Sequence, residues 1–530
     1  MGYWIRGLIL VSFLGAFLIS RMTESQPSAL SVEDYWASTG IHEKDLFDFL
    51  DNHFCHSSER YFLACVNALQ QVAIKNNHVL ALNRKLISRP ERDLSEISLL
   101  RPWQSEFIKI EKGLSEEVNF IELWSFLKSH FYAEKKWPSM IGAALNGFLS
   151  VFRDPHTYLI PLDYYRQVIA SPDHRISSYG FHLTKSGSQL IIKKVIPHSP
   201  AFQKGLRKGD QIISLNGKSA RDLSLSAANE NLKNSKIKKL KIVRLNREGE
   251  EESFEIAKAQ QALSTVHLQF LRGIHSTALL TIDRFTRHSC QRVKTELSRI
   301  QKAQSQNLII DLRDNPGGQM EETGCIAGLF VGPHRRIFSV RYSQGDTKPE
   351  SYYSENEKQF DGKIVVLVNR GTASAAEILA GSLRELGRAI LVGERTFGKG
   401  SFQEGDLWKR NKKVALFETK GFYYLPSGLT PQKVGLQPDL EIIPTVSELD
   451  SVMTLGSREE DQYWLPLEAN RRTQLGKPKS GIKIDNCYQQ AVQGETISED
   501  IEMRRAQLAL SCWESAQLQG AADNVSNTTF

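Results

Sequence analysis

Three short runs with apolar, mostly branched residues at their centres constrain the fold of this 530-residue chain more than any other feature. They are Asn307–Asp311, Ile364–Val368 and Ala389–Val392, and segments of helical character lie between them. Continuous apolar strands of this kind occur in sheets that are covered on both faces. Strands that alternate with helices are typical of α/β proteins. The sequence therefore predicts an α/β core over residues 261–445.

Residues 30–170 differ from this core because their apolar residues recur at helical spacing. The clearest stripe includes Ile141, Leu145 and Phe148, and the sequence Asp154-Pro-His-Thr157 ends the helix that carries it, because proline disrupts helical hydrogen bonding. We expect a helical N-terminal region here, with these stripes forming its core.

Residues 177–260 are predicted to form a small inserted domain rich in strands. Short β-prone runs alternate with turn signals, and the Asn216–Gly217 pair between two such runs is a strong hairpin signal. Residues 446–530 are more polar, with one predicted helix, Glu499–Ser515, and a loose tail from Gly520. The fold class is therefore multidomain α+β, with a helical N-terminal region, an inserted β domain, an α/β core and a helical C-terminal region.

The N-terminus predicts export. A short basic start, Met1–Arg6, precedes an uncharged apolar run, Gly7–Ser20, and this order is typical of a secretory signal. The run is shorter than the roughly 20 residues that a membrane-spanning helix needs, but Arg21 follows it without a clean cleavage site. Residues 1–25 are thus a signal peptide or a retained anchor. We expect a bacterial periplasmic or cell-envelope protein that contacts the membrane only through residues 7–20, if these are uncleaved.

The six cysteines agree with an oxidising compartment. None lies in a Cys-x-x-Cys pair or near a histidine at zinc-ligand spacing, so no metal site is expected. Local spacing favours two disulfides, Cys55–Cys65 and Cys487–Cys512. Buried single thiols are the alternative.

Composition excludes several classes of protein. Hydrophobic residues make up 41% of the chain and charged residues 24%, which excludes polytopic membrane proteins and largely disordered chains. The 67 Lys and Arg exceed the 60 Asp and Glu by only seven, and no dense basic patch with interleaved aromatics appears. A nucleic-acid partner is therefore not expected.

One segment carries the features of a catalytic site. The strand Ile364–Val368 leads into a turn of small residues that contains Ser374, and a helix is expected to follow from Ala375. A serine at such a junction is exposed beside free N–H groups, as in a nucleophile elbow. Lys399 lies between two glycines after the next strand, so parallel strand ends could bring it to Ser374. Each feature also has a non-catalytic interpretation. Turns of small residues are common, and most lysines bind a carboxylate or reach solvent.

Several spaced motifs surround these two residues. They are Gly371-Thr-Ala-Ser-Ala-Ala-Glu-Ile378, Val392-Gly-Glu-Arg-Thr-Phe-Gly-Lys-Gly-Ser-Phe-Gln403, Asp311-Leu-Arg-Asp-Asn-Pro-Gly-Gly318, Tyr424-Leu-Pro-Ser-Gly428 and Gly435-Leu-Gln-Pro-Asp439. Together with the Asp154-Pro-His-Thr157 turn, they resemble the carboxyl-terminal processing, or tail-specific, proteases, which are serine peptidases with a Ser–Lys dyad and a PDZ domain. The resemblance covers about residues 120–445 and leaves 30–110 and 446–530 unexplained.

The resemblance implies a role for each matching residue. Ser374 would be the nucleophile, Lys399 the general base and then the acid for the leaving amine, and Gln403 the group that orients Lys399. The backbone N–H groups of Ala375 and Gly318 would form the oxyanion hole. No cofactor is implied.

Some positions leave alternatives open. Gly317 is nearly as good an oxyanion donor as Gly318. His156 would replace the lysine as base if the chain worked like relatives of the tricorn core protease, although a structural role is favoured. Ala376 stands where many members carry serine and Glu385 where some carry aspartate, and neither change affects the dyad.

The resemblance also implies how substrates are selected. In the PDZ-like domain, the loop formed by Tyr179, Gly180, Phe181 and His182 would capture the terminal carboxylate of a protein or peptide with an apolar C-terminus, with an adaptor protein as a further candidate partner. A domain that only regulates the core is the alternative. The expected function is thus an exported serine endopeptidase that recognises C-terminal tails, and the alternative is a catalytically inactive peptide-binding scaffold on the same fold.

Overall fold

The structure is a computed structural model. It describes residues 32–50, 59–76, 78–81, 106–109, 120–169, 175–442, 458–459, 487–488 and 501–526. Within 175–442, it leaves out residues 187, 197–198, 208, most of 224–238, 246–250, 263–264, 272–276 and 344–347. The proposed signal or anchor and Cys55 therefore lie outside the described residues. No helix in the described ranges has the length and hydropathy needed to cross a membrane.

The N-terminal region is mainly helical. Its third and fifth helices pack against each other, and the fifth buries the predicted stripe around Leu145 and Phe148. This helix ends at Phe152, just before the Asp154-Pro-His-Thr157 turn. A parallel strand pair, β1 (His78–Ala81) and β2 (Glu106–Lys109), accompanies the helices. The helices are α1 (Val32–Thr39), α2 (Glu43–Leu50), α3 (Glu59–Lys75), α4 (Phe120–Phe131) and α5 (Trp137–Phe152).

Strand β3 (Tyr158–Pro161) follows the turn and joins the core rather than the helices. It pairs antiparallel with β20 (Val414–Tyr424) of the core, and side chains of β20 are buried in the same apolar cluster as the N-terminal helices. A short helical turn, Leu162–Tyr164, and a π-helical turn, Tyr165–Ile169, come next. The predicted helical region therefore contributes one strand to the second sheet of the core.

The small β domain has the predicted strands. Its main sheet has the order β10-β9-β7-β6-β5, with β8 on β7, and β4 pairs separately with β11. Asn216 and Gly217 form the tight turn between β7 and β8, both with positive φ (51° and 78°), as the hairpin signal predicts. The elements are β4 (Arg175–Ser178), β5 (Phe181–Ser186), β6 (Gln189–Val195), α6 (Pro200–Gln203), β7 (Gln211–Leu215), β8 (Lys218–Ser219), β9 (Lys239–Leu245), β10 (Glu251–Ala257) and β11 (Ala259–Ala262).

The core is built on a six-stranded sheet with the order β12-β13-β14-β17-β18-β21. Only β12 runs antiparallel to its neighbour, and the three apolar runs of the sequence form the centre of the sheet, where they are buried. The elements are β12 (Val266–Leu271), β13 (Thr277–Ile282), α7 (Ser289–Lys302), β14 (Asn307–Asp311), α8 (Met320–Val331), β17 (Lys363–Val368), α9 (Ala375–Glu385), β18 (Ile390–Gly393) and β21 (Leu440–Glu441).

A second sheet has the order β16-β15-β20-β19, with β3 also on β20. The helices α8 and α9 contact both this sheet and the central one. The remaining strands are β15 (Arg336–Tyr342), β16 (Glu350–Tyr353) and β19 (Ser401–Leu407). Because β19 begins directly after Lys399-Gly400, the second sheet determines where the candidate lysine lies.

The other face of the central sheet is covered by the C-terminal helix α10 (Ile501–Ser526). Ala506, Leu510 and Trp513 pack into its apolar cluster. The helix runs past the predicted end at Ser515 and continues to Ser526, which lies within the segment expected to be a loose tail. No proline interrupts residues 516–526, and one internal glycine costs a helix only about 1 kcal/mol.

Two cysteine pairs with both partners among the described residues lie at disulfide distance. Cys487 and Cys512 form the pair that local spacing predicts. The second, Cys290–Cys325, joins α7 to α8 and was not predicted, because its partners are separated by a strand and a turn. Cys65 is also disulfide-bonded.

Candidate active site

Ser374 lies where strand β17 gives way to helix α9. Its backbone has φ 57° and ψ −121°, a conformation that side-chain-bearing residues rarely adopt. Strain of this kind costs of order 1–3 kcal/mol and is concentrated at functional sites. The strand-turn-helix arrangement predicted around this serine is therefore present, with Ser374 at the N-cap position of α9, but Ser374 is fully buried and not exposed as predicted.

The carboxylate of Glu377 holds the main chains of both candidate residues. One oxygen accepts hydrogen bonds from the N–H groups of Ser374 and Lys399, each at 2.9 Å. The other accepts from the Gly398 N–H at 2.9 Å and from the Thr396 hydroxyl. Burial raises the pKa of Glu377 to about 7, against the lowering effect of these hydrogen bonds. Glu377 was not predicted as a site residue, although its place three residues after an N-cap serine is a capping-box signal.

A second buried group links the same two residues. The Tyr423 hydroxyl lies 2.8 Å from the Lys399 carbonyl oxygen and 3.2 Å from that of Ser374. Ser374 and Lys399 are thus tied through both N–H groups by Glu377 and through both carbonyls by Tyr423. Although they are 25 positions apart in sequence, the two residues therefore belong to one compact site.

Lys399 is completely buried, with 0% of its surface exposed. Its ammonium nitrogen donates to the Gln403 side-chain carbonyl at 2.7 Å and to the Ser401 backbone carbonyl at 3.1 Å. Burial lowers its pKa to about 8, because desolvation disfavours the charged amine, while the carboxylates of Glu459, Asp154 and Glu377 act in the opposite direction. A lysine with such a pKa is neutral in a substantial fraction of molecules near pH 8.

Gln403 is itself held in place. Its side-chain nitrogen lies 3.2 Å from the Ser401 hydroxyl and 3.1 Å from the Thr419 hydroxyl. Thr419 donates in turn to the Asp154 carboxylate at 2.7 Å. A chain of hydrogen bonds therefore runs from Lys399 through Gln403 and Thr419 to the turn that ends the N-terminal helices.

The Gly317–Gly318 turn packs directly against the serine. A Cβ atom on Gly317, which has φ 100°, would stand 2.8 Å from the Ser374 Cβ and 3.0 Å from the Ala375 nitrogen, so a side chain cannot fit there. The Gly317 N–H donates to the Asn315 side-chain oxygen at 2.8 Å. The Ala375 N–H has no acceptor within the part of the chain that the structure describes.

Gly318 is fixed by the segment after β13. The Phe285 N–H donates to the Gly317 carbonyl at 3.0 Å, and the Gln319 N–H donates to the Phe285 carbonyl at 2.9 Å. A Cβ atom on Gly318 would overlap the Phe285 carbonyl oxygen. These contacts hold the turn at a fixed distance from the N-terminus of α9.

His156 is fully buried and lies against an unexpected partner. Its Nε2 atom is 2.8 Å and 3.0 Å from the two carboxylate oxygens of Glu459, which is also fully buried. Glu459 belongs to the C-terminal region, residues 446–530, which the family resemblance does not cover. The polar sequence around Glu459 does not predict that this residue is buried beside a histidine.

The predicted carboxylate-binding loop lies in the small β domain. Tyr179, Gly180 and Phe181 are buried, and His182 is exposed. Gly180 has φ 88°, and its carbonyl accepts the Ile196 N–H and the Ser199 hydroxyl. The loop is therefore a tightly held turn in a sheet separate from the two sheets of the core.

Two protein families match this chain. Residues 276–442 match peptidase family S41, and residues 167–244 match the PDZ domain. The first range includes Ser374, Lys399 and Gln403, and the second includes the loop around Gly180.

Three curated proteins illustrate the similarity. The carboxy-terminal processing protease CtpA of Bacillus subtilis is 28% identical over 64% of this chain and 71% of its own length. The carboxyl-terminal-processing protease of Picosynechococcus is 27% identical over 73% of this chain and 91% of its own. CtpB of Bacillus subtilis is 30% identical over 60% of this chain and 66% of its own.

Proposed function

We propose that this chain, which belongs to peptidase family S41 and is a protease with a PDZ domain, cleaves peptide bonds with a Ser374–Lys399 dyad. In this mechanism the neutral amine of Lys399 takes the proton of the Ser374 hydroxyl as its oxygen attacks the scissile carbonyl. The resulting ammonium gives this proton to the leaving amine. Water then hydrolyses the acyl-enzyme by the same two proton transfers and frees Ser374.

The negative oxygen of each tetrahedral intermediate would be bound by the N–H groups of Ala375 and Gly318. Ala375 is the first residue of α9, where a helix leaves its N–H groups without partners. The second donor would come from the Gly317–Gly318 turn, which packs directly against Ser374.

The observation that carries the proposal is the pairing of Ser374 and Lys399 by Glu377 and Tyr423. A buried lysine with a pKa of about 8, held by Gln403, is suited to act as a base near neutral pH. Most lysines lie at the surface, where water keeps the ammonium charged. Lys399 is instead buried, close to a serine with a strained backbone.

The test is kcat/KM for five variants on one peptide substrate. Ser374→Ala and Lys399→Ala should each lose turnover by a factor of about 10⁴ or more, and the double variant should be little worse, because the two act as a unit. Lys399→Arg should also be inactive, because guanidinium keeps its proton, while Gln403→Ala should retain some activity. Ser298→Ala and Lys302→Ala, exposed on α7, are matched controls.

Two outcomes would replace the proposal. Activity in Lys399→Ala together with its loss in His156→Ala would transfer the role of base to His156. A wild-type protein that binds peptides but cleaves none, with or without EDTA, would favour the scaffold alternative.

We further propose that the PDZ domain selects substrates by their C-termini. A peptide could add as a strand to the domain edge and present its carboxylate to the N–H groups of the loop at Gly180. The φ of 88° there suits glycine, and the apolar surroundings of Tyr179 and Phe181 favour an apolar terminal residue.

Export to the cell envelope completes the proposal. It rests on the apolar run Gly7–Ser20 and on the cysteine pairs at disulfide distance, because disulfides are typical of oxidising compartments and rare in the cytosol. Detection of the protein in envelope fractions, with or without residues 1–25, tests this step and distinguishes cleavage from anchoring.

A further inference from the structure

Glu459 comes from a part of the chain that the peptidase match does not include. That match ends at residue 442, yet Glu459 is fully buried at the candidate active site. Burying a carboxylate is costly unless it is hydrogen-bonded and its charge is compensated. Its partners therefore indicate what it does there.

Glu459 is connected to the loop that carries Lys399 on both sides of the lysine. Its N–H donates to the Phe397 carbonyl at 3.0 Å. Its carboxylate accepts from the Gln432 side-chain nitrogen at 3.1 Å, and the Gln432 side-chain oxygen accepts from the Gly400 N–H at 2.7 Å. The residues two before and one after Lys399 are thus connected, directly or through Gln432, to Glu459.

The same carboxylate contacts His156, which is 303 positions away in sequence. His156 lies in the turn whose Asp154 carboxylate supports Gln403 through Thr419. Glu459 therefore joins that turn to the Lys399 loop through contacts that do not involve Gln403.

Electrostatics adds a second effect. Among the described residues, the carboxylates that act on Lys399 are Glu459, Asp154 and Glu377. Tyr423 donates to its carbonyl, and His156 lies against Glu459. Among the charges, Glu459 has the largest effect in raising the pKa of Lys399 against the effect of burial. The carboxylate thus stabilises the ammonium form.

We propose that Glu459 is a positioning residue of the active site, which clamps the Lys399 loop, sets the protonation of the lysine and makes the C-terminal segment part of the catalytic machinery. The proposal rests on the proposed role of Lys399 as base. It assigns a function to a region outside the peptidase match.

The first test is the pH dependence of kcat/KM in Glu459→Gln, which keeps the shape and removes the charge. Without the carboxylate, the acid limb of the profile should move to lower pH by about one unit, because the ammonium loses a stabilising neighbour. Plateau kcat should fall while KM stays unchanged, because the clamp holds the base and not the peptide. Glu418→Gln, a carboxylate on β20 with 39% of its side chain exposed, should leave the limb in place. Should Glu459→Gln not fold, Glu459→Met, which removes the charge and fills the volume, carries the same expectation.

The second test does not depend on turnover. In an inactive Ser374→Ala background, ¹³Cε-lysine NMR follows the titration of Lys399, with Lys399→Arg assigning its signal. The Lys399 pKa should be lower by about one unit when Glu459→Gln is added. An unchanged pKa and an unmoved acid limb would overturn the proposal. If Lys399→Ala keeps its activity, the proposed function fails, but this titration still decides whether Glu459 sets the charge of Lys399.

Discussion

The burial of Lys399 should make the candidate base a destabilising residue at neutral pH. Below pH 8 the side chain is charged in both the folded and the unfolded protein, so folding must remove an ammonium from water. Between pH 8 and 10.5 the folded protein releases this proton while the unfolded chain keeps it, and the cost fades as pH rises. Lys399→Met removes this cost because methionine fills a similar volume without a charge.

The magnitude follows from the pKa and the contacts. Lowering the pKa from 10.5 to about 8 corresponds to about 3 kcal/mol of lost stability when the lysine is charged. The variant also loses the hydrogen bonds from the amine to Gln403 and to Ser401, at about 1 kcal/mol each. Lys399→Met should therefore be inactive but about 1 kcal/mol more stable than the parent protein at pH 7.

The assay is urea unfolding followed by tryptophan fluorescence at pH 7, 8 and 9, in a Ser374→Ala background that prevents self-digestion. The advantage of Lys399→Met should shrink by about 1.4 kcal/mol for each pH unit above 8. Lys302→Met, exposed on α7, should show no such slope. A stability difference that stays constant from pH 7 to 9 would show that Lys399 does not carry a lowered pKa and would refute this reasoning.

Three further predictions address other parts of the molecule. Amidation of the C-terminal carboxylate of a good peptide substrate should raise KM at unchanged kcat, because the loop at Gly180 loses an anionic partner; equal KM values for acid and amide would argue against tail recognition. Mass spectrometry of unreduced peptides from envelope-purified protein should find Cys487 joined to Cys512, and free thiols at both positions would contradict export to an oxidising compartment. Thr419→Val should lower kcat about tenfold at unchanged KM, because Gln403 loses one of its hydrogen-bond partners. Thr295→Val, exposed on α7, is the control. Full activity in Thr419→Val would show that the hydrogen bonds from Gln403 to Asp154 have no catalytic role.

The elements that could be predicted are those with a local signal. The apolar runs became the centre of the main sheet, since a strand covered on both faces must be apolar along its whole length. Small residues around Ser374 could be recognised in the sequence. The structure explains them, because Gly317 packs so closely against the Ser374 Cβ atom that no side chain fits between the two segments. Lys399 could be placed at the neighbouring strand end because β17 and β18 are parallel and adjacent.

The parts that could not be predicted depend on contacts between distant segments. The Cys290–Cys325 pair joins two helices that become neighbours only once the sheet has formed. Strand β3 lies within the region predicted to be helical, and it forms a strand by pairing with β20, which is distant in sequence. Thr419 looks like an ordinary strand residue, and only the fold places it between Gln403 and Asp154.

Glu459 shows this limit most clearly. A glutamate in a polar stretch is predicted to lie at the surface, because water solvates a carboxylate better than a protein interior does. Here the histidine, glutamine and lysine that offset its burial come from three other parts of the chain. None of these three residues, considered alone, predicts a contact with Glu459. The positions of the proposed nucleophile and the proposed base are therefore set by local backbone geometry, which sequence motifs reveal. The charges around the proposed base are supplied by segments that meet only in the folded protein.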